Sequence, residues 1–301
     1  TRTTIKVPDD LIDFTPAMRE QAVKQLSRYK VATSMYNPPI LGDVNGLLGA
    51  INLGKAVGGT NWPGGAYDPE THIAYTPGNN VALTAATLVA PPAGFSDIRY
   101  VSGLAGRPFQ EVLGPGDCCA ADSPRGATNA GRNELTGTPI QQNAAPPPPP
   151  ATASNAGGLA IDGISILKPP YGTVSAINVD RGEIVWQTPH GDTPDNVRNH
   201  PALRGLTIPK TGQAGTSGIG LLVTKTLVMI GDPSLTTTPE HPRGAMFRAY
   251  DKATGKEVGA VFMAAPQSGS PMTYMADGKQ YIVNAISGGS YSGEYVAFKL
   301  P

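Results

Sequence analysis

The sequence predicts an all-β protein built from many short strands and turns. Of its 301 residues, 37 are glycine and 30 are proline, whereas only 15% are charged and 6% are aromatic. This composition disfavours helical bundles and coiled coils and favours short strands joined by turns. A chain of this length can bury a substantial core, either as one large β domain or as two smaller ones.

Charge and hydropathy exclude several functional classes. The 23 basic and 23 acidic residues balance, and no basic patch is visible, so no nucleic-acid partner is expected. No apolar run reaches the length of about 18 residues that a membrane-spanning helix needs, so no transmembrane segment is expected. The sequence does not begin with Met, and Thr1–Lys6 lacks the apolar core of a signal peptide. Processing, truncation and renumbering all remain open explanations of this start.

One helix is expected, within Asp13–Lys30. Thr15 is the candidate N-cap, Pro16 falls at the first helical position, and Glu20 lies close to the capping-box position. The apolar residues that follow a rough 3.6-residue period are Ala17, Met18, Ala22, Val23 and Leu26. The segment Tyr36–Pro39 ends any helix, because proline cannot continue one.

A repeat recurs along the chain. It reads Ala-x-Asp/Asn, two residues, a Thr-like position, Gly, three residues and often Trp. The copies are Ala176–Trp186, Ala249–Gly259 and, more weakly, Ala66–His72, where His72 replaces the glycine. Tyr295–Phe298 resembles the opening strand of a fourth copy.

Each copy of the repeat encodes a β-hairpin. Short alternating stretches predict its strands, Asp or Asn bonds to the turn backbone, and the glycine supplies a positive φ. Trp186 is expected to pack between neighbouring sheets. Because one hairpin cannot bury its own face, the copies must stack, and radial stacking gives a β-propeller.

Four segments carry a resemblance to a known family. They are Gly58–Gly65 (GGTNWPGG) with Tyr67–Glu70, Pro169–Ile177, Gly269–Tyr274 and Gly278–Val283. In motif, order and spacing they resemble the pyrroloquinoline-quinone (PQQ) dehydrogenases, and most closely the glucose-dehydrogenase-like branch. The resemblance covers most of Asp9–Pro301 except a Pro/Gly/Ala-rich insert at about residues 90–163.

The resemblance implies a fold and an activity. The implied fold is an eight-bladed β-propeller of the quinoprotein dehydrogenase type. Residues 1–301 would supply roughly its C-terminal half, because a blade needs about 40–50 residues. The implied reaction oxidises an alcohol, polyol or sugar hydroxyl to the carbonyl (EC class 1.1) and passes electrons to an external acceptor, a quinone or a cytochrome. The family works in the periplasm or outside the cell, so that location is expected.

The implied cofactors are PQQ and Ca²⁺, or another divalent or lanthanide cation. The family places its cation ligands and its catalytic aspartate mostly in the N-terminal half of the ring. No catalytic residue and no metal ligand is therefore assigned to this chain, and we expect it to be inactive without that half, its partner in the ring.

The residues expected to bind PQQ are Asn61, Trp62, Thr60 and Ala214. An amide such as that of Asn61 can donate to a quinone or carboxylate oxygen, although a turn Asn held by local backbone bonds is the alternative. Trp62 could line the central channel of the propeller or pack between blades. The glycines that would let the backbone approach the cofactor are Gly58, Gly59, Gly64 and Gly65.

Other polar residues are assigned structural roles. His72, His190, His200 and His241 lack metal-ligand spacing and are expected at turns or at the surface. Asp192, Asp195 and Asp232 lie in Pro/Gly loops, where caps and turns explain them, and Ser217 and Ser268 lack a nucleophile-elbow context.

The insert is too long for an ordinary loop and contains the extended run Pro146–Pro150. It also contains the two adjacent cysteines, Cys118 and Cys119, which exclude a disulfide framework and CxxC metal motifs. Two free thiols and a strained bond between neighbours both remain open. The hypothesis is that the insert folds over the channel mouth and shapes substrate access, so that deleting Pro91–Ser154 changes the substrate range.

Two other functional classes remain as alternatives. A non-catalytic propeller used as a scaffold or binding module would share the repeats, since fold does not establish function. A carbohydrate-binding or hydrolytic propeller would need a constellation of carboxylates that the sequence does not reveal.

Overall fold

The computed structural model describes residues 3–31, 33–34, 36–42, 44–54, 59–81, 83–91, 98–102, 159–288 and 290–299. Strands dominate these residues, which also hold two short helices, α1 (Pro16–Leu26) and α2 (Asp195–Arg198). The strands are β1 (Lys30–Val31), β2 (Ile40–Leu41), β3 (Ala50–Leu53), β4 (Ala66–Asp68), β5 (Ile73–Asn79), β6 (Leu83–Val89), β7 (Val101–Ser102), β8 (Ala160–Ile161), β9 (Ile164–Ser165), β10 (Gly172–Asn178), β11 (Glu183–Pro189), β12 (Leu222–Val223), β13 (Leu227–Gly231), β14 (Thr236–Thr238), β15 (His241–Asp251), β16 (Glu257–Met263), β17 (Met272–Ala276), β18 (Lys279–Gly288) and β19 (Tyr291–Lys299).

Three antiparallel sheets have the form of propeller blades. The first blade has the order β4-β5-β10-β11. The second has the order β12-β13-β15-β16, with β14 paired to the start of β15. The third consists of β17-β18-β19. These blades confirm the predicted stacking of hairpins.

A further sheet and helix α1 surround a separate core. That sheet has the order β1-β3-β6-β2, with β7 paired to β6 and parallel pairing at β1/β3 and β2/β6. Its core includes Met18 and Leu26 of α1 together with Ile164 and Leu167 beside the β8–β9 hairpin. The segment β6–β9 is inserted between β5 and β10, which are neighbours in the first blade.

The expected insert falls within this segment between β5 and β10. Residues 92–97 and 103–158 lie outside the described residues, and so do Cys118 and Cys119. The predictions about the channel mouth and the cysteine pair therefore stay predictions.

Helix α1 begins as predicted. The Oγ1 atom of Thr15 accepts the backbone N–H of Met18 at 3.2 Å, and Pro16 follows the cap. Met18 occupies the capping-box position, and Glu20 lies two residues beyond it. The buried stripe is Met18, Ala22 and Leu26, whereas Ala17 and Val23 are exposed, because a spacing of four keeps residues on one helix face.

The turns of the repeat form as predicted. Gly182 and Gly255 have φ angles of +67° and +71°, and His72 adopts +56° where it replaces glycine. Asp251 accepts the backbone N–H of Thr254 at 2.8 Å, and Asn178 accepts that of Arg181 at 3.0 Å. The side chain that opens each turn thus satisfies a backbone donor inside it.

Trp186 docks the first blade onto the second, as predicted. Its Nε1 atom donates to the carbonyl oxygen of Lys252 at 3.1 Å, and the hydroxyl of Tyr75 donates to the same oxygen at 3.2 Å. A Cβ atom added to Gly255 would lie 2.5 Å from the indole ring. The Lys252 ammonium also contacts Asp68 at 2.7 Å, and this hydrogen bond lowers the pKa of Asp68 to about 2.

Substituting alanine for Gly255 is expected to weaken this docking. Both Gly255→Ala and Gly182→Ala place a side chain at positive φ, which costs about 1–2 kcal/mol. Only Gly255→Ala also forces a methyl group into Trp186, which adds roughly 1–3 kcal/mol, because nothing lies within 4 Å of the Gly182 position. Urea unfolding of both variants measures the difference. Equal losses of unfolding free energy would contradict the docking geometry.

Candidate functional site

The loop that carries Asn61 is a tight turn before β4. The carbonyl oxygen of Asn61 accepts the N–H of Gly64 at 2.9 Å, and Gly64 has a φ of +72°. The Oδ1 atom of Asn61 accepts the N–H of Trp62 at 2.8 Å. The local bonds of a turn Asn are therefore present, but they use oxygen atoms only. The Nδ2 group has no hydrogen-bond partner among the described residues and is available to donate.

The neighbours of Asn61 have different roles. Trp62 is 89% exposed, so it does not pack between the blades that the structure describes. The hydroxyl of Thr60 donates to the carbonyl oxygen of Pro77 at 2.7 Å and so anchors the loop to β5. The N–H of Asn79 donates to the carbonyl oxygen of Gly59 at 2.9 Å, which adds a second anchor.

The glycines of this loop are explained in part by packing. A Cβ atom at Gly65 would lie 2.3 Å from the carbonyl oxygen of Tyr75, whereas one at Gly59 would have room, with its nearest neighbour at 3.7 Å. Gly65 thus allows the loop to approach β5. Gly58 lies outside the described residues.

A second loop, Gln213–Gly220, contacts the Asn61 loop. The carbonyl oxygen of Ser217 accepts the N–H of Asn61 at 3.0 Å. This second loop is shaped by Gly215, with a φ of +98°, and by the Thr216 hydroxyl, which donates to the carbonyl oxygen of Gln213 at 2.7 Å. Ala214 packs its side chain against the core around α1, so only its backbone is left to contact a cofactor.

A third loop, Gln267–Pro271, completes the arrangement. The N–H of Gly220 donates to the carbonyl oxygen of Gly269 at 3.1 Å. A Cβ atom at Gly220 would lie 2.1 Å from the Ser270 hydroxyl and 3.1 Å from the carbonyl oxygen of Pro63. The loops Gly59–Gly65, Gln213–Gly220 and Gln267–Pro271 thus meet at Gly220, and we call them together the three-loop wall.

A buried ion cluster lies behind this wall, centred on Arg248. Its Nε and Nη2 atoms donate to the two carboxylate oxygens of Asp232 at 2.7 and 2.9 Å. Arg248 also contacts Asp192 at 2.7 Å and Glu257 at 2.8 Å. Arg248 is 4% exposed and Asp232 is fully buried. Burial alone would lower the pKa of Arg248, but the hydrogen bonds and charge of Asp232 outweigh it, so the net shift is upward.

Two further cations complete the ion cluster. Lys210 contacts Glu257 at 2.5 Å, and His241 contacts Asp192 at 3.0 Å. Burial by itself lowers the pKa of His241, but the hydrogen bond to Asp192 and neighbouring negative charge raise it overall. Arg248, Lys210 and His241 are thus the three basic side chains that contact the carboxylates of Asp192, Asp232 and Glu257.

The cluster corrects several expectations. Asp192 and Asp232 are ion-pair partners rather than turn or cap residues, and His241 is buried rather than at the surface. The three carboxylates all face Arg248, so they do not form the acid and base pair that a hydrolytic propeller needs. Asp195 lies in the first turn of α2, where it pairs with Arg198 at 2.7 Å and also accepts the N–H of the distant Thr237 at 3.0 Å.

His190 is also buried, which contradicts its expected surface position. Its Nε2 atom lies 2.8 Å from the carbonyl oxygen of Gly231 and its Nδ1 atom 2.8 Å from the hydroxyl of Tyr250. These partners are satisfied by the neutral imidazole with its proton on Nε2. Burial lowers the pKa of His190, so its 3.9 Å approach to Asp232 is not an ion pair. His72 is exposed, and the partly exposed His200 caps a short turn at Pro201–Leu203, so both agree with the predicted turn or surface position.

His190 is expected to make stability depend on pH. Because its pKa is lower in the folded than in the unfolded protein, the stability that it contributes is complete above its unfolded pKa of about 6.5 and is lost as pH falls through the folded value. Replacing it as His190→Gln should therefore flatten the fall in unfolding free energy between about pH 6.5 and pH 5. Urea unfolding at several pH values measures this slope. A slope in His190→Gln equal to that of the wild type would contradict the assignment.

The described residues contain no group of three or more His, Cys, Asp and Glu side chains that could hold a metal ion. No helix in the same part of the chain is long and apolar enough to cross a membrane.

The three-loop wall fits a PQQ ligand in its chemistry. PQQ carries quinone and carboxylate oxygens on a planar ring system. The uncommitted Nδ2 donor of Asn61 suits such oxygens, and the open indole of Trp62 offers a flat apolar face. Among the predicted site residues, Asn61, Trp62 and Thr60 are together, and Ala214 joins them through its loop.

Comparison with known proteins agrees with this fold. The family model of the PQQ β-propeller domain of glucose, ethanol and alcohol dehydrogenases matches residues 2–103 and 119–282. A β-propeller of the PQQ dehydrogenase type is thus the class that the fold and the family model define. The chain belongs to this PQQ β-propeller dehydrogenase family.

Individual relatives show how much of the family's length is present. A probable quinate dehydrogenase (quinone) of Xanthomonas campestris pv. juglandis is 28% identical over 267 residues, which is 84% of this chain and 27% of that protein. Quinoprotein glucose dehydrogenase A of Acinetobacter calcoaceticus is 27% identical over 202 residues, which is 65% of this chain and 22% of that protein. The matches thus span about a quarter of these relatives' length.

Among solved structures, a quinohemoprotein alcohol dehydrogenase of Pseudomonas putida HK5 is similar, with 14% sequence identity and a TM-score of 0.36. The match covers 81% of this chain and 24% of that one.

Proposed function

We propose that this chain forms one wall of a PQQ site in a dehydrogenase that oxidises an alcohol, polyol or sugar hydroxyl to the carbonyl. The observation that carries the proposal is the free Nδ2 donor of Asn61 beside the exposed Trp62, on a loop held by Thr60 and by the carbonyl oxygen of Ser217. Family membership supports the cofactor, since relatives bear the names of quinoproteins that act on quinate, glucose and glycerol.

In this proposal the chain's own residues would bind and orient the cofactor. Bound PQQ would supply the oxidant: as the alcohol becomes a carbonyl, the quinone would take up the two electrons and two protons that the alcohol loses, with Ca²⁺ or another cation as Lewis acid. Asn61 would donate a hydrogen bond to a cofactor oxygen through Nδ2. Trp62 would cover one face of the bound ring and exclude water there. The Thr60 hydroxyl is committed to Pro77, so Thr60 holds the loop in place.

The remaining parts of the reaction belong to other segments in this proposal. The catalytic aspartate and most cation ligands would lie outside this chain, which would be inactive without them. Electrons would pass to an external quinone or cytochrome, and the protein would work in the periplasm or outside the cell.

A non-catalytic propeller scaffold is the second candidate. The well-packed blade interface at Trp186 would serve a scaffold equally well. A scaffold, however, has no use for an amide donor left open beside an exposed indole. The Asn61 loop therefore favours the enzyme.

Reconstitution separates the two candidates. The complete protein is incubated with PQQ and Ca²⁺, and the reduction of a redox dye is followed with a panel of alcohols, polyols and aldoses. The proposal predicts a bound quinone absorbance and dye reduction with at least one substrate. A protein that binds no quinone and reduces no dye would be a scaffold.

A further inference from the structure

One buried side chain, Gln267, ties the three-loop wall together from behind. The residue is 3% exposed. Its Oε1 atom accepts the N–H of Gly231 at 2.6 Å and the Nδ2 group of Asn284 at 3.2 Å. Its Nε2 atom donates to the carbonyl oxygens of Gly220 at 2.6 Å and Gly269 at 2.7 Å. A primary amide offers two donor hydrogens and an oxygen that accepts twice, so Gln267 uses its full hydrogen-bonding capacity.

These four bonds connect segments that are distant in the sequence. Gly231 ends β13 in the second blade and Asn284 lies within β18 in the third, whereas Gly220 and Gly269 belong to two loops of the wall. Gly231 and Gly220 are buried, so the Gly231 N–H and the Gly220 carbonyl oxygen would lose this partner away from water if the amide moved away, which is unfavourable. The carbonyl oxygen of Gly269 would keep only the N–H of Gly220. The amide therefore sets the distance between the two loops and the blades behind them.

The loop that contains Gly220 links the position of the Gln267 amide to the position of Asn61. At Gly220 the second loop is in close contact with the carbonyl oxygen of Pro63. Three residues earlier, the carbonyl oxygen of Ser217 accepts the N–H of Asn61 at 3.0 Å. The backbone of Asn61 is thus held by a loop whose own position depends on Gln267.

The backbone of Gln267 is itself anchored in the ion cluster. Its N–H donates to the carbonyl oxygen of Asp232 at 3.1 Å, and the carboxylate of Asp232 is bound by two nitrogen atoms of Arg248. A satisfied polar network of this kind in a buried region is rigid. The backbone of Gln267 is therefore held in a fixed position.

We propose that Gln267 is a positioning residue for cofactor binding. It fixes the Ser217–Gly220 segment and thereby aims the side chain of Asn61, without itself contacting PQQ. The cofactor part of this inference rests on the proposed function. The coupling between Gln267 and Asn61 is a property of the chain alone and can be measured without a cofactor.

The test substitutes methionine for Gln267 in the complete protein. Gln267→Met keeps a similar shape and removes all four hydrogen bonds. Hydrogen exchange of the Asn61 and Gly220 amides in the absence of cofactor should accelerate by about tenfold or more, and the dissociation constant for PQQ should rise by about tenfold. The matched control is Ile282→Ala, which opens the buried core of the third blade. It should lower the melting temperature while both readouts remain as in the wild type.

The outcomes separate the inference from the proposed function. Unchanged exchange at Asn61 and unchanged PQQ affinity in Gln267→Met would overturn the inference. Faster exchange at Asn61 in a protein that never binds PQQ would support the coupling and refute the proposed function. If Gln267→Met does not fold, Gly220→Ala displaces the same loop, because its methyl group would meet Ser270 and Pro63. Wild-type exchange at Asn61 in that variant would equally overturn the inference.

Discussion

Replacing Arg248 with methionine is expected to lower the free energy of unfolding by about 3–5 kcal/mol, because it leaves buried carboxylates without a counter-charge. Asp232 is fully buried and would lose both of its hydrogen bonds to the guanidinium. Asp192 and Glu257 would each lose an ion pair. Urea unfolding near neutral pH measures the loss.

The control for Arg248 is an exposed pair on the first blade. Arg181 contacts Glu183 at 2.7 Å, with side chains 69% and 59% exposed. Water screens such a pair, so Arg181→Met should change stability by no more than about 0.5 kcal/mol. A loss in Arg248→Met as small as that in Arg181→Met would show that the cluster does not stabilise the fold.

Replacing Asn61 with aspartate is expected to weaken PQQ binding by about 10- to 100-fold, because the variant loses the Nδ2 donor. Aspartate retains the oxygen that accepts the Trp62 N–H, so the turn should persist. The new negative charge would also repel the quinone and carboxylate oxygens. Equilibrium titration of PQQ in the presence of Ca²⁺ measures the dissociation constant.

Asn178 supplies a matched control for this substitution. Its Oδ1 atom accepts the Arg181 N–H in a repeat turn of the first blade, so Asn178→Asp makes the same chemical change in the same kind of turn. It should leave PQQ affinity unchanged. Equal weakening by both variants would mean that Asn61 acts on the fold rather than on the cofactor.

The features that the sequence predicted are local in character. The turn at Asp251, Thr254 and Gly255 needs only the side chain of its first residue and one positive φ, so its residues signal it directly. His72 takes the same conformation in place of glycine because the surrounding hairpin imposes it. Trp186 was also predictable, because a large aromatic side chain at the end of a repeated hairpin has few other places to be buried.

The features that the sequence did not predict depend on distant pairs. Arg248 and Asp232 are 16 residues apart, and His190 meets Tyr250 across 60 residues. Neither spacing belongs to a local motif. One signal was present, since Arg248 interrupts an alternating apolar strand between Phe247 and Ala249, and a charge at such a position indicates a buried partner.

The sequence predicted which residues form the candidate site, but not the contacts that hold them in place. The Asn61 motif was recognised as a unit, yet the role of Gln267 was not, because a glutamine in a loop has no distinctive pattern. Only the fold brings Gly220 and Gly269 to the two sides of its amide. Likewise, Trp62 could not be placed from the sequence, because exposure is decided by the neighbouring loops.

The most direct test of the central claim is an experimental structure of the complete protein with PQQ bound. We predict that the Asn61 Nδ2 atom lies within hydrogen-bonding distance of a quinone or carboxylate oxygen, and that the Trp62 ring borders the cofactor. PQQ bound elsewhere, with Asn61 turned away from it, would contradict the assignment of the three-loop wall as its site.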